Sequence, residues 1–464
     1  MPAPEPSRKP FSLGRGSALG RVAGRLSILF TGTFAGSGLA FATQILLART
    51  LPLESFGSLA ALLAAVNFLT PVASAGVNWF LLRAYGTEGA AARRWLRPSA
   101  GLVALATTAS ALALLVYAGT GGTLSPAERS LVLAACIPIL LGQVAVELAS
   151  ARLQLEERFT GLTALQTATQ AGRFLILAAA ALAASGVTLG GVVLGYALVG
   201  ALTAGVGGVL LAGLFTGRVR LAGHAPPVTG ARPVAAGAPS IGHAAVEAGP
   251  YALVTMFYVL YFQGIVVVLE WLAGGAAAAA FNVAFLVVSA AALIPGVVYT
   301  RFLVAKLNRW AEHDRDRFRD VFQLGVAAML LVGLVVMLGI ALLAGPAVRL
   351  VFGPGYAEAA AVLLVLAPGI PIRFVQMAYS SLYVSRADTV RKARYLGLGA
   401  LASMLACLAL VPAFGALGAA AANVLAEAVL LGLHMRGAVG ILGRDAARDA
   451  LRPWVALRRL RHAG

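Results

Sequence analysis

Apolar stretches of about 20 residues recur along this chain, parted by short clusters of charge and by Pro/Gly runs. They fall at 27–48, 57–82, 99–119, 130–149, 163–184, 190–215, 250–270, 276–299, 322–345, 358–383, 394–412 and 416–435. A helix rising 1.5 Å per residue needs about 20 residues to cross ~30 Å of hydrocarbon. Each stretch therefore predicts one transmembrane helix, and the absence of period-two alternation excludes a porin-type barrel. The expected fold class is an all-α integral membrane protein of about 12 transmembrane helices. The thinnest division lies in 250–299, where only Glu270 and the pair Gly274-Gly275 separate two helices.

Composition sharpens this picture. Residues are 60% hydrophobic and only 12% charged, with a mean hydropathy of +0.87. A soluble domain carries roughly 25% charged residues, so this chain cannot clothe a surface in water and must use lipid as solvent.

The basic residues then set orientation. With the N-terminus inside, 31 of the 36 Lys and Arg fall in the termini and cytoplasmic connections. Three (Arg49, Arg129, Arg349) fall outside, and Arg173 and Arg373 fall within helices. That asymmetry is a positive-inside signal for both termini in the cytoplasm. It also explains the net charge of +18. The charges are spread over short segments with no compact domain to carry a recognition surface, so nucleic acid is not an expected partner. Membrane lipids are. The basic leader is not a cleavable signal peptide, and helix one is expected to stay as an anchor. Cys136 and Cys407 both lie in apolar stretches and read as small buried residues.

The longest polar interruption, 217–249, holds Pro226, Pro227, Pro233 and Pro239 and divides six helices from six. The predicted organisation is a basic N-terminus at 1–26, a six-helix bundle at 27–216 and a linker at 217–249. A second bundle at 250–435 and a basic tail at 436–464 complete it. The bundles look related: Leu131–Ile139 and Leu364–Ile372 agree at seven of nine positions, and Gln143 matches Gln376 further on. Gly76-Val77 is weakly echoed by Gly296-Val297. Matching helices run in the same direction, so the bundles are expected to be pseudo-symmetric about an axis along the membrane normal. Alternating-access transporters use such an arrangement.

An ionised group at the bilayer centre costs at least ~2.5–3.5 kcal/mol on insertion scales, so three residues need a reason. Arg173 lies midway along helix five, with Gln166 and Gln170 on its face. Arg373 lies in helix ten with Gln376 and Ser380 nearby, and Glu427 lies in helix twelve one turn after Asn423. A guanidinium facing a water-filled cavity suits a bidentate phosphate contact. Glu427 reads equally as an ion- or proton-coupling site and as a counter-ion to an arginine. The amides Gln44, Asn67, Asn78, Gln143, Gln263 and Asn282 are candidates for lining a site, although a helix–helix hydrogen bond is the commoner role. No P-loop, H-E-x-x-H pair or outer domain large enough for catalysis is present. No enzyme activity, cofactor or metal is therefore expected.

Several segments resemble a known family. Leu46–Gly57 resembles the first periplasmic turn of bacterial polysaccharide flippases, which belong to the multidrug/oligosaccharidyl-lipid/polysaccharide exporter superfamily. Gly76–Arg83, Phe281–Phe285, Val351–Ala359 and Val411–Ala420 are similar to further segments of that family, in order along the chain. The resemblance spans about 25–435. It implies a MATE-like pair of six-helix bundles in the bacterial inner membrane. It also implies passage of an undecaprenyl-pyrophosphate-linked oligosaccharide to the periplasmic leaflet, for polysaccharide or O-antigen export. Expected partners are that lipid-linked substrate and polysaccharide polymerase or assembly proteins. Helix seven departs from many relatives in offering only Gln263 and the terminal Glu270. A related exporter of small molecules or of a peptidoglycan precursor is the second reading. A membrane polymerase or ligase is a distant third, because the outer loops are too short to hold catalytic groups.

Overall fold

A computed structural model describes residues 15–120, 126–182, 186–216, 239–293, 315–383 and 386–442. The described secondary structure is helical throughout. In the first half the helices are α1 (Arg15–Thr50), α2 (Leu53–Ser74), α3 (Val77–Glu88), α4 (Leu96–Thr120), α5 (Pro126–Leu155), α6 (Phe159–Leu182) and α7 (Leu189–Phe215). In the second they are α8 (Ile241–Ala291), α9 (Arg315–Phe352), α10 (Ala357–Leu366), α11 (Gly369–Ser380) and α12 (Arg386–Leu442). Short 3-10 turns at Gly89–Trp95 and Pro354–Tyr356 join α3 to α4 and α9 to α10.

Seven of these elements are long and apolar enough to cross a bilayer, or eight with α10 and α11 taken as one bent span, against the twelve expected. Two of the seven are far longer than any bilayer requires. Helix α8 runs for 51 residues and α12 for 57. Each folds back on itself. A straight helix would hold Phe262 and Phe285 about 34 Å apart, yet their rings lie 6.0 Å apart. Likewise Tyr395 and His434 would be about 58 Å apart but stand at 5.5 Å. The reversals occur at Gly274 (φ 85°, ψ 173°) and Gly415 (φ 54°, ψ −130°), conformations that a residue with a Cβ enters only under strain. The thin division read at 250–299 is thus a tight hairpin.

Two other helices break where the sequence reading kept them whole. Ala75 and Gly76 both adopt left-handed conformation and split the expected helix two into α2 and α3. The expected helix ten bends by 50° between α10 and α11, beside Pro368. In α5, by contrast, Pro138 sits inside a continuous helix, so the matched Ile-Pro-Ile segments occupy differently shaped helices.

Boundaries also move. Helix α1 begins at Arg15 within the expected 1–26 terminus, and α8 begins at Ile241 within the expected 217–249 linker. Ser240 caps it, accepting from the His243 amide at 3.2 Å. Residues 217–238, the Gly296-Val297 echo and the tail from 443 lie outside the described residues. Both cysteines are buried and free.

The outer surface is what lipid requires. Large apolar side chains such as Leu112, Val209, Val335 and Leu342 are 60–77% exposed. Inside the bundle, the hydroxyls of buried Thr43 and Thr70, and of half-buried Thr50, return to the carbonyl four residues back at 2.7 Å, so these donors are satisfied within their own helices.

The two halves of the chain meet firmly at the end where α1 turns into α2. Gly57 and Gly275 bring α2 and the second limb of α8 into backbone contact: a Cβ at Gly275 would lie 2.5 Å from the Glu54 carbonyl oxygen. The Arg49 guanidinium donates to the carbonyl of Val351 at 2.7 Å and to that of Leu350. The Tyr356 hydroxyl donates to the Ala48 carbonyl at 3.0 Å, and Phe56 meets the Tyr356 ring edge-on at 6.1 Å. The segments 46–57 and 351–359, singled out separately in the sequence, are the two lips of one closure. Toward the opposite end Arg83 pairs with Glu247 at 3.6 Å.

Candidate functional site

A cavity has three adjoining lobes of about 520, 630 and 330 Å³, and Gln143 of α5 lines all of them; residues of both halves line the first two, and the third lies within the first half. Gln143 is fixed there by donating to the Asn67 side chain of α2 at 3.1 Å. The amide pair joins α2 to α5, and Asn67 borders two of the lobes.

On α6, residues 166, 170 and 173 share a face because they are spaced by about one and two turns. Gln166, Gln170 and Arg173 accordingly line the 330 Å³ lobe together, and Gln170 and Arg173 also reach the 520 Å³ lobe. Arg173 has its guanidinium 5.1 Å from the centre of the Tyr196 ring, and its Nε is buried without a hydrogen-bond partner. Gln44 borders the same lobe, with its carbonyl oxygen likewise unpartnered.

Arg373 reaches the 630 Å³ lobe from α11, beside Gln263, Tyr258 and Phe262 from the first limb of α8. Its surroundings differ from those of Arg173. The guanidinium lies over the Phe262 ring at 4.3 Å, near Phe285 at 5.9 Å, and its Nε stands 3.9 Å from the Glu427 carboxylate. This contact favours the counter-ion position over an independent one for Glu427, whose side chain is almost wholly buried. At 3.9 Å the pair is ionic without being a hydrogen bond. Glu427 itself does not border any of the three lobes.

The remaining candidates stand elsewhere. Gln376, Asn78 and Asn282 line none of the three lobes. Met377, one residue after Gln376, takes the lining position because it follows Arg373 by a full turn. Asn78 and Asn282 keep buried atoms without partners.

One ionisable lining residue is not among those that the sequence singles out. Glu147 borders both the 330 and 630 Å³ lobes, with one carboxylate oxygen buried and unpartnered and Ser74 beside the group. The expected helix four ends at 149, two residues beyond Glu147. The helix runs to Leu155, which draws this carboxylate inside. Tyr196, Tyr258 and Phe262 were also passed over, since an aromatic residue in an apolar stretch carries no mark of facing a cavity.

The arrangement resembles solved transporters in fold. A lipid II flippase, MurJ, in an inward closed conformation aligns with a TM-score of 0.67 at 12% identity, covering 92% of this chain and 91% of that one. An inward-facing multidrug resistance MATE family transporter aligns at 0.59 with 15% identity, covering 94% and 98%. The eukaryotic MATE transporter AtDTX14 aligns at 0.58 with 15% identity, covering 93% and 98%. At these identities the likeness is one of fold. No curated protein sequence matches the chain significantly. A family model for polysaccharide biosynthesis proteins matches residues 23–303. Since that stretch is well over half of the 464 residues, this multi-span membrane chain belongs to the polysaccharide biosynthesis protein family.

Proposed function

We propose that the protein is a flippase, moving a lipid-linked oligosaccharide repeat unit across the bacterial inner membrane by alternating access. The observation that carries this reading is Arg173. It is a permanent cation midway along a helix, facing a lobe lined by both halves, with a buried N–H that no group among the described residues receives. Such a group suits a phosphate oxygen, and undecaprenyl pyrophosphate supplies two adjacent phosphates. The polar lobes would hold the glycan while the prenyl chain stays in lipid.

In this reading the membrane is crossed twelve times with both ends in the cytoplasm, each hairpin of α8 and α12 counting twice. The closure of Arg49, Tyr356 and the Gly57–Gly275 contact would then face the periplasm, so the cavity would receive substrate from the cytoplasmic side. Transport would require that closure to part while the opposite end shuts, a shift between two packings of the same helices. O-antigen export is one pathway that such a step would serve.

The test is a leaflet assay. In cells deprived of this protein, lipid-linked oligosaccharide is labelled with an impermeant probe, and wild type and Arg173→Ala are compared at equal membrane abundance. The expected result is accumulation on the cytoplasmic face, relieved by wild type and not by the variant. Unchanged delivery in cells lacking the protein and any redundant flippase refutes the proposal.

A further inference from the structure

The two cavity arginines are not equivalent, and a carboxylate stands between them. Arg373 already has Glu427 at 3.9 Å and an aromatic ring over its face at 4.3 Å. Its charge is balanced before any ligand arrives. Among the described residues, Arg173 has the Tyr196 ring beside it and no ion-pair partner. Glu147 shares the 330 Å³ lobe with Arg173 and the 630 Å³ lobe with Arg373, yet no ion pair within 4.0 Å joins it to either arginine among the described residues. One of its oxygens is buried with no protein donor. The cavity therefore presents, on a lobe they share, one arginine and one glutamate that have no ion-pair partner within 4.0 Å among the described residues.

We infer that Glu147 is a specificity residue: it selects a phosphate-linked glycan whose sugar next to the phosphate is neutral or carries an amino group, and it rejects a uronic acid there. The inference rests on the flippase reading. With phosphate on Arg173, the adjoining sugar falls within the lobes that Glu147 borders. An ionised carboxylate only accepts hydrogen bonds, so it matches sugar hydroxyls or an ammonium group. A uronate would bring a second carboxylate with no proton to share. Like charges at close range in a poorly solvated cavity repel far more strongly than in water. Arg373 does not rescue the uronate, because Glu427 already faces it.

The test uses full-length protein in lipid nanodiscs and two probes that differ in one group, prenyl-pyrophosphoryl-glucose and prenyl-pyrophosphoryl-glucuronate. Wild type is expected to bind the glucose probe at least tenfold more tightly. Glu147→Gln, nearly isosteric but uncharged, is expected to bring the two within about threefold, chiefly by tightening the glucuronate probe. Thermal unfolding of the variant checks that it is folded, and Glu147→Ser serves as a second uncharged variant. Equal binding of the probes by wild type overturns the inference, as does a preference that survives in both folded variants. If wild type binds neither probe, the flippase reading itself falls and takes this inference with it. If Arg173→Ala loses both probes while Glu147→Gln keeps its full preference, only the inference falls.

Discussion

Adding a single methyl group at Gly57 should open the closed end of the protein. A Cβ there would overlap the Gly275 carbonyl oxygen and lie 2.9 Å from its Cα, where carbon atoms normally rest at about 3.5–4.0 Å. The obstacle is backbone on both sides, so no rotamer change relieves it; α2 and the second limb of α8 must part by about an ångström. Forcing extra volume into a packed contact costs about 1–3 kcal/mol. If the alternative state does not contain this contact, the whole cost falls on the closed one. The equilibrium then moves toward opening by roughly 5- to 150-fold, since 1.4 kcal/mol is about a factor of ten. Spin labels at Leu53 and Ala357, on the two lips, read the separation by pulsed electron resonance in nanodiscs. Wild type should give one short distance, and Gly57→Ala should add a longer population. Gly339→Ala is the control, because a Cβ there meets nothing within 4 Å. An unchanged distance distribution in a folded Gly57→Ala protein would refute the claim that this contact holds the end shut.

Further perturbations probe other contacts in the protein. Arg49→Ala removes charged donors to two carbonyls, each worth about 1.5–3 kcal/mol at most. It should raise the labelling rate of a cysteine placed at Phe56, and an unaltered rate would count against the clasp. Glu427→Leu strands Arg373 and should destabilise by about 3–5 kcal/mol, whereas Glu427→Leu with Arg373→Met should recover most of that loss. Thermal unfolding in detergent measures both; an equally unstable double variant would show that the pair is not coupled. Gly274→Ala should cost about 1–3 kcal/mol through backbone strain alone, because its φ of 85° and ψ of 173° fall in a region essentially reserved for glycine and no neighbouring atom obstructs a Cβ. A full-strength melting temperature would argue against the tight reversal.

Much of this architecture is readable from residue order because lipid demands length and apolarity, and both are visible in a sequence. Rotation about the helix axis is harder. Helix α6 declares its cavity face, since Gln166, Gln170 and Arg173 stand out against apolar neighbours. On α2 the lone amide Asn67 stands out among apolar neighbours and lines the cavity, but its pattern does not show that it pairs there with Gln143. On α11, Gln376 looked the better lining candidate on polarity, yet Met377 holds the place by geometry. Partners distant in sequence were also hidden: depth alone could put Arg373 and Glu427 at one level, but not side by side. Glu147 was lost to a six-residue error in a helix end. In a soluble protein that would be trivial, but here it decides whether a carboxylate lies in the headgroups or in the cavity wall.

The clasp at Arg49 has an unusual consequence for how this protein can vary. Its receiving side consists of main-chain oxygens at 350 and 351, which every amino acid possesses. Substitutions at those two positions can drift without weakening the grip, provided the backbone keeps its course. The same holds for Ala48, whose carbonyl receives the Tyr356 hydroxyl. Each bolt is thus spelled in the alphabet of side chains on one half only, and its socket on the other half is silent. Covariation between partner positions, the usual trace of a contact between distant segments, would not be expected here, and an evolutionary search for paired changes would pass over the joint.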